Sequence, residues 1–330
     1  MAKRVLAFGE VLLRLSPPGR LRLEQAGSLD VHVGGAELNL AAGLSRLGIA
    51  SSMLTALPDN PLGRLAAAEM RRAGVGDELV LWRKRGRMGL YVVEFGSDPR
   101  PTRVTYDRSA SAASGLRPGD VDWKDVLDGF DHLHTTGITA ALSRGCLQLV
   151  GEALSSARGM GLSTSLDLNY RSLLWSVPRA RKALLPLAAR VDHLILSRHD
   201  GRTIFQIKEE DPEALARALV EGYGCATVAV TMREELPGTR SRWSAAAWDG
   251  RRLHSDRVYE VEAVDRIGSG DAFAAGYVYG ILSGDPGLGL RVGNAMAALK
   301  HSVPGDVLRC DAAEVMALAE GMEGQPRIRR

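Results

Sequence analysis

The stretch Asp265-Arg266-Ile267-Gly268-Ser269-Gly270-Asp271-Ala272-Phe273-Ala274-Ala275-Gly276 decides how this chain is read. It follows a strand-like run, Val258-Tyr259-Glu260-Val261, and opens into Ala272 to Leu282, where apolar residues recur every three or four positions as on a buried helix face. A glycine-rich turn at a helix N-terminus leaves the N–H groups of residues 268 to 271 pointing outward, and the helix dipole adds positive potential there. Gly268, Ser269 and Gly270 therefore form a candidate anion hole. Asp271, at its mouth, has two readings. Either it caps its own helix, or it takes a proton from an attacking hydroxyl while the turn holds a phosphoryl group.

Outward from this stretch, the chain alternates strands and helices. Lys3 to Phe8 reads as a buried strand with Glu10 at its C-terminal end, Met53 to Leu57 as a strand, and Pro61 to Ala73 as a helix between Pro and Gly74. Gly34-Gly35-Ala36-Glu37-Leu38-Asn39 leads into a second helix, Leu40 to Leu47, closed by Gly48. From His132 the alternation continues: strands at His132 to Thr136, Leu162 to Leu168, His193 to Leu196 and Ala226 to Val230, and helices at Cys146 to Gly159, Arg179 to Leu187 and Pro212 to Tyr223. This predicts an α/β fold with a doubly wound, mostly parallel sheet flanked by helices and ligands at the strands' C-terminal ends. Two segments break the pattern. Residues 12–33 carry Pro17, Pro18, Gly19 and Gly27 and read as turns and exposed strands; Gly86 to Tyr106 alternates with period two around the turn Gly96-Ser97-Asp98-Pro99. Together, segments 12–33 and 86–108 predict a small β-sheet lid on a single domain spanning 1–330.

The composition, with 45% hydrophobic and 25% charged residues, is that of an ordinary globular protein. The 42 Lys and Arg against 39 Asp and Glu leave a net charge of +3. The basic runs Arg83-Lys84-Arg85 and Arg327-Ile328-Arg329-Arg330 lack interleaved aromatics and read as a solvated loop and a tail, so no nucleic-acid partner is expected. Cys146, Cys225 and Cys310 lie far apart, which argues for a reducing cytoplasm and against a disulfide framework or a zinc site. No run of 18 apolar residues occurs, and no membrane span is expected.

Familiar sites are missing: there is no G-x-x-x-x-G-K-[ST], no G-x-G-x-x-G after the first strand and no G-x-S-x-G elbow. His132-x-His134 has no third ligand and reads as structural, and no metal-ligand set is assigned. Asp167-Leu168-Asn169-Tyr170-Arg171 ends a strand, and period two would place Asp167, Asn169 and Arg171 on one side of an extended segment. Tyr106 and Arg108 share a face at the hairpin's exit, where an arginine suits a carboxylate. Either cluster also fits a solvated loop.

The two glycine-rich helix entries, Gly34-Gly35-Ala36-Glu37-Leu38-Asn39-Leu40-Ala41 and the 265–276 stretch, resemble the paired signatures of the ribokinase-like, or PfkB-type, carbohydrate kinases, and the resemblance covers essentially the whole chain. Within that family the chain is similar to the kinases of 2-keto-3-deoxygluconate, through Gly9-Glu10, Gly86-Arg87-Met88-Gly89-Leu90-Tyr91, Tyr106-Asp107-Arg108, Asp167-Leu168-Asn169-Tyr170-Arg171 and Thr231-Met232-Arg233-Glu234. The resemblance implies transfer of the ATP γ-phosphoryl group to the C6 hydroxyl of that sugar acid. Asp271 would be the base, Gly34, Gly35 and Asn39 would hold hydroxyls, Tyr91 and Tyr106 would line the lid, and Asn169, Arg108 and Arg171 would meet the substrate. Thr231, Arg233, Gly268, Gly270 and Asn294 would meet the nucleotide. It also implies Mg2+ and a monovalent cation such as K+ beside the anion loop. An exposed lid sheet with free edges is a natural pairing surface and predicts a homo-oligomer formed through the lid, in the cytoplasm that the cysteine usage suggests. The family's Asn-x-x-Glu is not found at Leu196-Ser197-Arg198-His199-Asp200. A kinase of a neutral sugar or nucleoside and a catalytically silent sugar sensor are the rivals. A panel of sugars in an ADP-release assay separates all three.

Overall fold

The computed structural model describes residues 3–209 and 211–321; the arginine-rich tail lies outside them. Strand β1 (Arg4–Phe8) shows why the main sheet forms. Leu6 and Phe8 join one hydrophobic cluster while Val5 and Ala7 join clusters on the other face, so a continuous apolar run is buried on both sides. The chain continues through β2 (Leu12–Ser16), β3 (Asp30–Gly34), α1 (Ala36–Arg46), β4 (Ala50–Pro58), α2 (Pro61–Arg72), β5 (Val75–Gly76), β6 (Val80–Arg83), β7 (Gly89–Glu94) and β8 (Arg103–Asp107). After α3 (Trp123–Leu127) come β9 (His132–Thr136), α4 (Gly137–Leu142), α5 (Arg144–Gly159), β10 (Ser163–Asp167), α6 (Val177–Ala188), β11 (His193–Ser197), the single turn α7 (Arg198–Asp200), α8 (Pro212–Tyr223) and β12 (Thr227–Glu235). The last part holds β13 (Arg240–Trp248), β14 (Leu253–Ser255), β15 (Tyr259–Glu262), α9 (Ser269–Leu282), α10 (Pro286–His301) and α11 (Ala312–Ala319).

The large sheet runs β14-β13-β12-β11-β10-β9-β1-β4-β5, with β15 on β13 and β6 on β4. From β12 to β5 all neighbours are parallel; β13 turns back antiparallel and closes that edge. Strand order reverses at β1, which has β9 on one side and β4 on the other, so a crevice opens there at the strands' C-terminal ends. Helices α5, α6 and α8 pack on one face, and α1, α9 and α10 on the other. Helices α9 and α10 approach backbone to backbone, because a Cβ on Gly276 would overlap the main chain of Gly293, and one on Gly280 would overlap Gly289.

The small sheet has the order β3-β2-β7-β8 and is built from the two segments that broke the alternation. One expectation is corrected here. Residues 12–16 are not an exposed strand: β2 is central in this sheet, with Leu13 packed on Leu38 and Ala41 of α1 and Leu12 packed on Tyr91 and Val93 of β7.

Candidate active site

A cavity of about 810 Å3 lies at the C-terminal ends of the parallel strands, under the small sheet. Its wall carries Glu10 just beyond β1, Asp167 and Ser197 as the last residues of β10 and β11, and Thr231 paired in register with Ser197. Short strands that end level with one another put these side chains at one depth.

The N-terminus of α9 forms the floor. Gly268 is the residue preceding the helix and has φ +85°, a left-handed conformation that a side chain disfavours; a Cβ there would also overlap the Asp306 carbonyl oxygen. The Ser269 N–H turns back to Arg266 O at 3.3 Å, whereas those of Gly268, Gly270 and Asp271 find no acceptor among the described residues. Three of the four expected donors thus face the cavity, at the positive end of a 14-residue helix.

Asp271 does not cap its own helix. Its Oδ2 accepts from Asn39 Nδ2 of α1 at 2.6 Å, so the two glycine-rich entries meet at this carboxylate. Burial pushes the Asp271 carboxyl up to about 6, against the lowering effects of the Asn39 hydrogen bond and the Arg171 charge. A carboxylate tuned toward neutrality beside an anion hole can accept a hydroxyl proton near physiological pH. Glu37 lies beside it, buried, with its Oε1 accepting from Thr136 N at 3.1 Å, Thr136 Oγ at 2.7 Å and Thr139 Oγ at 2.6 Å. Burial raises Glu37 to about 7, with the Asp271 charge adding to the rise.

The structure brings most of the sequence-derived site residues to this cavity: Gly35, Asn39, Tyr91, Tyr106, Arg108, Asn169, Arg171, Thr231, Arg233, Gly268, Ser269, Gly270 and Asp271 all line it. Gly34 stands just outside, where a Cβ would overlap the Asp306 side chain. Asn294 is fully buried away from the cavity; it accepts from Trp243 Nε1 at 3.0 Å and donates to Asp256 at 3.2 Å, holding an indole that does line the wall. Asn169 is also not part of an extended segment. Its φ of +41° turns the chain after β10, so the side-by-side arrangement of Asp167, Asn169 and Arg171 comes from a bend. Tyr91 and Tyr106 stack with centroids 5.7 Å apart. His132 and His134 bond to the hydroxyls of Ser163 and Ser165 at 2.6 to 2.7 Å inside the sheet.

Two arginines differ in commitment. Arg108 Nε donates to Glu10 Oε2 at 2.8 Å, and Ser111 Oγ donates to the other Glu10 oxygen, so a buried carboxylate fixes this guanidinium at the lid edge. The Arg171 guanidinium makes no ion pair or hydrogen bond among the described residues and faces Asp167, Asp200 and Asp271.

Sequence reasoning missed several residues. Asp306 lines the cavity and accepts from Tyr91 OH and from Arg14 Nη1 at 3.1 Å; Arg14, 1% exposed, also bonds Asp265 Oδ2 at 2.5 Å. The turn Pro304-Gly305-Asp306 after a helix was the available signal. Asp200, at the place where the family's Asn-x-x-Glu was sought, lines the cavity with its carboxyl raised by burial. Burial, then the charges of Asp271 and Asp200, hold Asp167 well above the carboxylate range, a crowding of acids that an arriving cation would relieve. Among the described residues, no group of three or more His, Cys, Asp or Glu is placed to hold a metal by itself. No helix among them is long and apolar enough to cross a membrane.

A proton acceptor beside an anion-binding helix N-terminus, at the switch point of an α/β sheet, defines a small-molecule phosphotransferase. The model of the pfkB family of carbohydrate kinases matches residues 2–311, and the chain belongs to that family. It is 38% identical over 322 residues to a 2-dehydro-3-deoxygalactonokinase of Haloferax volcanii, covering 97% of this chain and 98% of the relative. A crystal structure of a 2-dehydro-3-deoxygluconokinase from Thermotoga maritima superposes with a TM-score of 0.93 at 37% identity, over 97% of this chain and 99% of the other. A ribokinase II from E. coli in complex with ATP and Mg2+ shares the fold, with a TM-score of 0.83 at 20% identity over 97% and 99% of the two chains.

Proposed function

We propose that this carbohydrate kinase transfers the γ-phosphoryl group of ATP to the C6 hydroxyl of a 2-keto-3-deoxy sugar acid of the gluconate or galactonate type. The observation that carries the reading is the Asp271 carboxylate, held by Asn39 at the mouth of the anion hole, in a cavity that Arg108 and Arg171 also line. An aldonic acid brings a fixed negative charge that a neutral sugar lacks, and an arginine fork matches it. The names of the relatives support the same substrate class.

In this reading the acceptor's hydroxyls lie against Gly35, Asn39 and Asn169, while Gly34, just outside, makes room for the Asp306 side chain; the carboxylate meets Arg108, and the terminal hydroxyl points at Asp271. Arg108 is preset by Glu10, which leaves its remaining N–H groups for the substrate. The phosphoryl group passes over the N–H groups of Gly268, Gly270 and Asp271, which stabilise its charge, with Arg171 as a nearby cation. The proton leaves the attacking oxygen for Asp271. The nucleotide lies along Thr231, Arg233 and the Trp243 ring, with Asn294 acting through that ring. Asp200 and Asp167 are the cavity carboxyls that would hold magnesium brought by ATP, which would supply neutralisation of the phosphate charge.

The four-stranded sheet serves as the lid. Leu29, Val31 and Tyr106 are exposed on it, which supports pairing of two copies through this face; sedimentation that returns a monomer would refute the pairing. Three free, buried cysteines support a cytoplasmic setting, and secretion of the native protein would overturn it. The kinase reading is tested by ADP release over a panel of keto-deoxy acids and neutral sugars.

A further inference from the structure

Lys300 stands in the last turn of α10 with no exposed surface. A buried ammonium is unfavourable unless its donors are met, and here two main-chain carbonyls meet them: Asp265 O at 3.1 Å and Val303 O at 2.8 Å. The first carbonyl belongs to the residue that opens the anion loop. The second opens the turn Val303-Pro304-Gly305-Asp306, whose Asp306 carbonyl lies against Gly268. The same two pieces of chain are stitched by the Asp265 carboxylate, which accepts from Ile267 N at 3.0 Å and Gly305 N at 2.9 Å.

Two carbonyls and the carboxylates of Asp265 and Asp306 make a buried region of negative potential directly behind the anion hole. Arg14 neutralises the carboxylate side of this region, and Lys300 fills the carbonyl side. We propose that Lys300 is a built-in monovalent cation, a positioning residue that holds the anion loop from behind and makes phosphoryl transfer independent of added potassium. The family resemblance implies a free cation beside this loop; here α10 supplies the charge covalently, at no cost in binding entropy. The inference rests on the kinase reading, because the loop it holds is the one that receives the phosphoryl group.

The test uses the full-length protein with Mg-ATP and the sugar acid in buffers of equal ionic strength containing potassium, sodium or choline chloride. The expected wild-type kcat varies by less than about twofold, since screening is held constant. Lys300→Ala, checked for folding by circular dichroism, loses about 10- to 100-fold in kcat, the scale of a misplaced loop, with a smaller change in sugar KM. Potassium, ammonium or methylammonium recovers part of that loss. Strong activation of the wild type by potassium overturns the proposal, as does a Lys300→Ala protein with unchanged kcat or one that no cation rescues. If Lys300→Ala does not fold, the wild-type cation series decides. If no sugar turns over, the kinase assignment of substrate fails by itself, and calorimetric Mg-ADP binding across the same salts still decides: insensitivity supports the built-in cation, and potassium dependence refutes it.

Discussion

Asn in place of Asp271 removes the proton acceptor and changes little else. The side-chain oxygen of Asn can still accept from Asn39 Nδ2, which lies 2.6 Å away, so the contact between the two glycine-rich entries survives. Positioned general bases contribute about 10²- to 10⁴-fold, equivalent to about 2.7 to 5.5 kcal/mol at about 1.4 kcal/mol per decade. The predicted Asp271→Asn enzyme therefore turns over at least ~100-fold more slowly, with sugar and ATP affinity close to wild type. The wild-type pH profile carries a second check. Asp271 rises from 3.8 to about 6 in the fold, so its basic form is lost as pH falls through that value, and kcat/KM should drop there. Glu37, raised to about 7 chiefly by burial, lies beside Asp271, whose charge adds to that rise. A raised carboxyl also means that the folded state binds more protons than the unfolded chain between 3.8 and about 6, so Asp271 lowers stability as pH rises through that window. Asn carries no such charge, and the variant should melt no lower than wild type at pH 8. Coupled ADP release gives the rates and thermal melting the stability. Near-normal turnover, or a loss explained wholly by KM, would refute the base assignment.

Two further substitutions probe the surroundings of this carboxylate. Arg14→Met leaves Asp265 and Asp306 without their buried partner; losing one side of a buried ion pair costs about 3 to 5 kcal/mol, so the melting temperature should fall by roughly 10 °C. Protonation of Asp306, already raised by burial, relieves part of this as pH falls, so the deficit should narrow under acid conditions; a melt equal to wild type at pH 7.5 would contradict the pairing. Arg108→Ala should weaken a keto-deoxy acid by about 1.5 to 3 kcal/mol, the worth of a hydrogen bond to a charged group, and leave fructose or ribose unaffected. Equal losses for acid and neutral sugars, measured as kcat/KM, would remove Arg108 from carboxylate recognition.

The anion loop was legible because its requirements are local: a left-handed residue before a helix selects Gly268, and the apolar spacing after it marks the helix. The small sheet was legible from period-two alternation and the turn at residues 96–99. What escaped depends on contacts distant in sequence. Arg14 lies in a segment expected to be exposed, yet it is buried and its partners lie 251 and 292 residues further on. Lys300 showed only as one more basic residue of α10, beside Arg291 and His301, and its carbonyl acceptors appear once α10 packs behind the anion loop. Asn294 was assigned to the nucleotide, but a fully buried amide took a partner in Trp243 instead. Asn169 was expected in an extended segment; its left-handed backbone bends the chain there, an option that Asn tolerates better than most residues.

Phosphorylation of a keto-deoxy sugar acid on its terminal hydroxyl is the reaction that this site is built to perform. Incubation with Mg-ATP and 2-keto-3-deoxygluconate, its C4 epimer, fructose or ribose, followed by 31P NMR of the products, tests it most directly. A phosphomonoester at C6 of the keto-deoxy acids is expected, with far less product from the neutral sugars. Preferential phosphorylation of fructose or ribose, or no phosphorylated sugar at all, would contradict it.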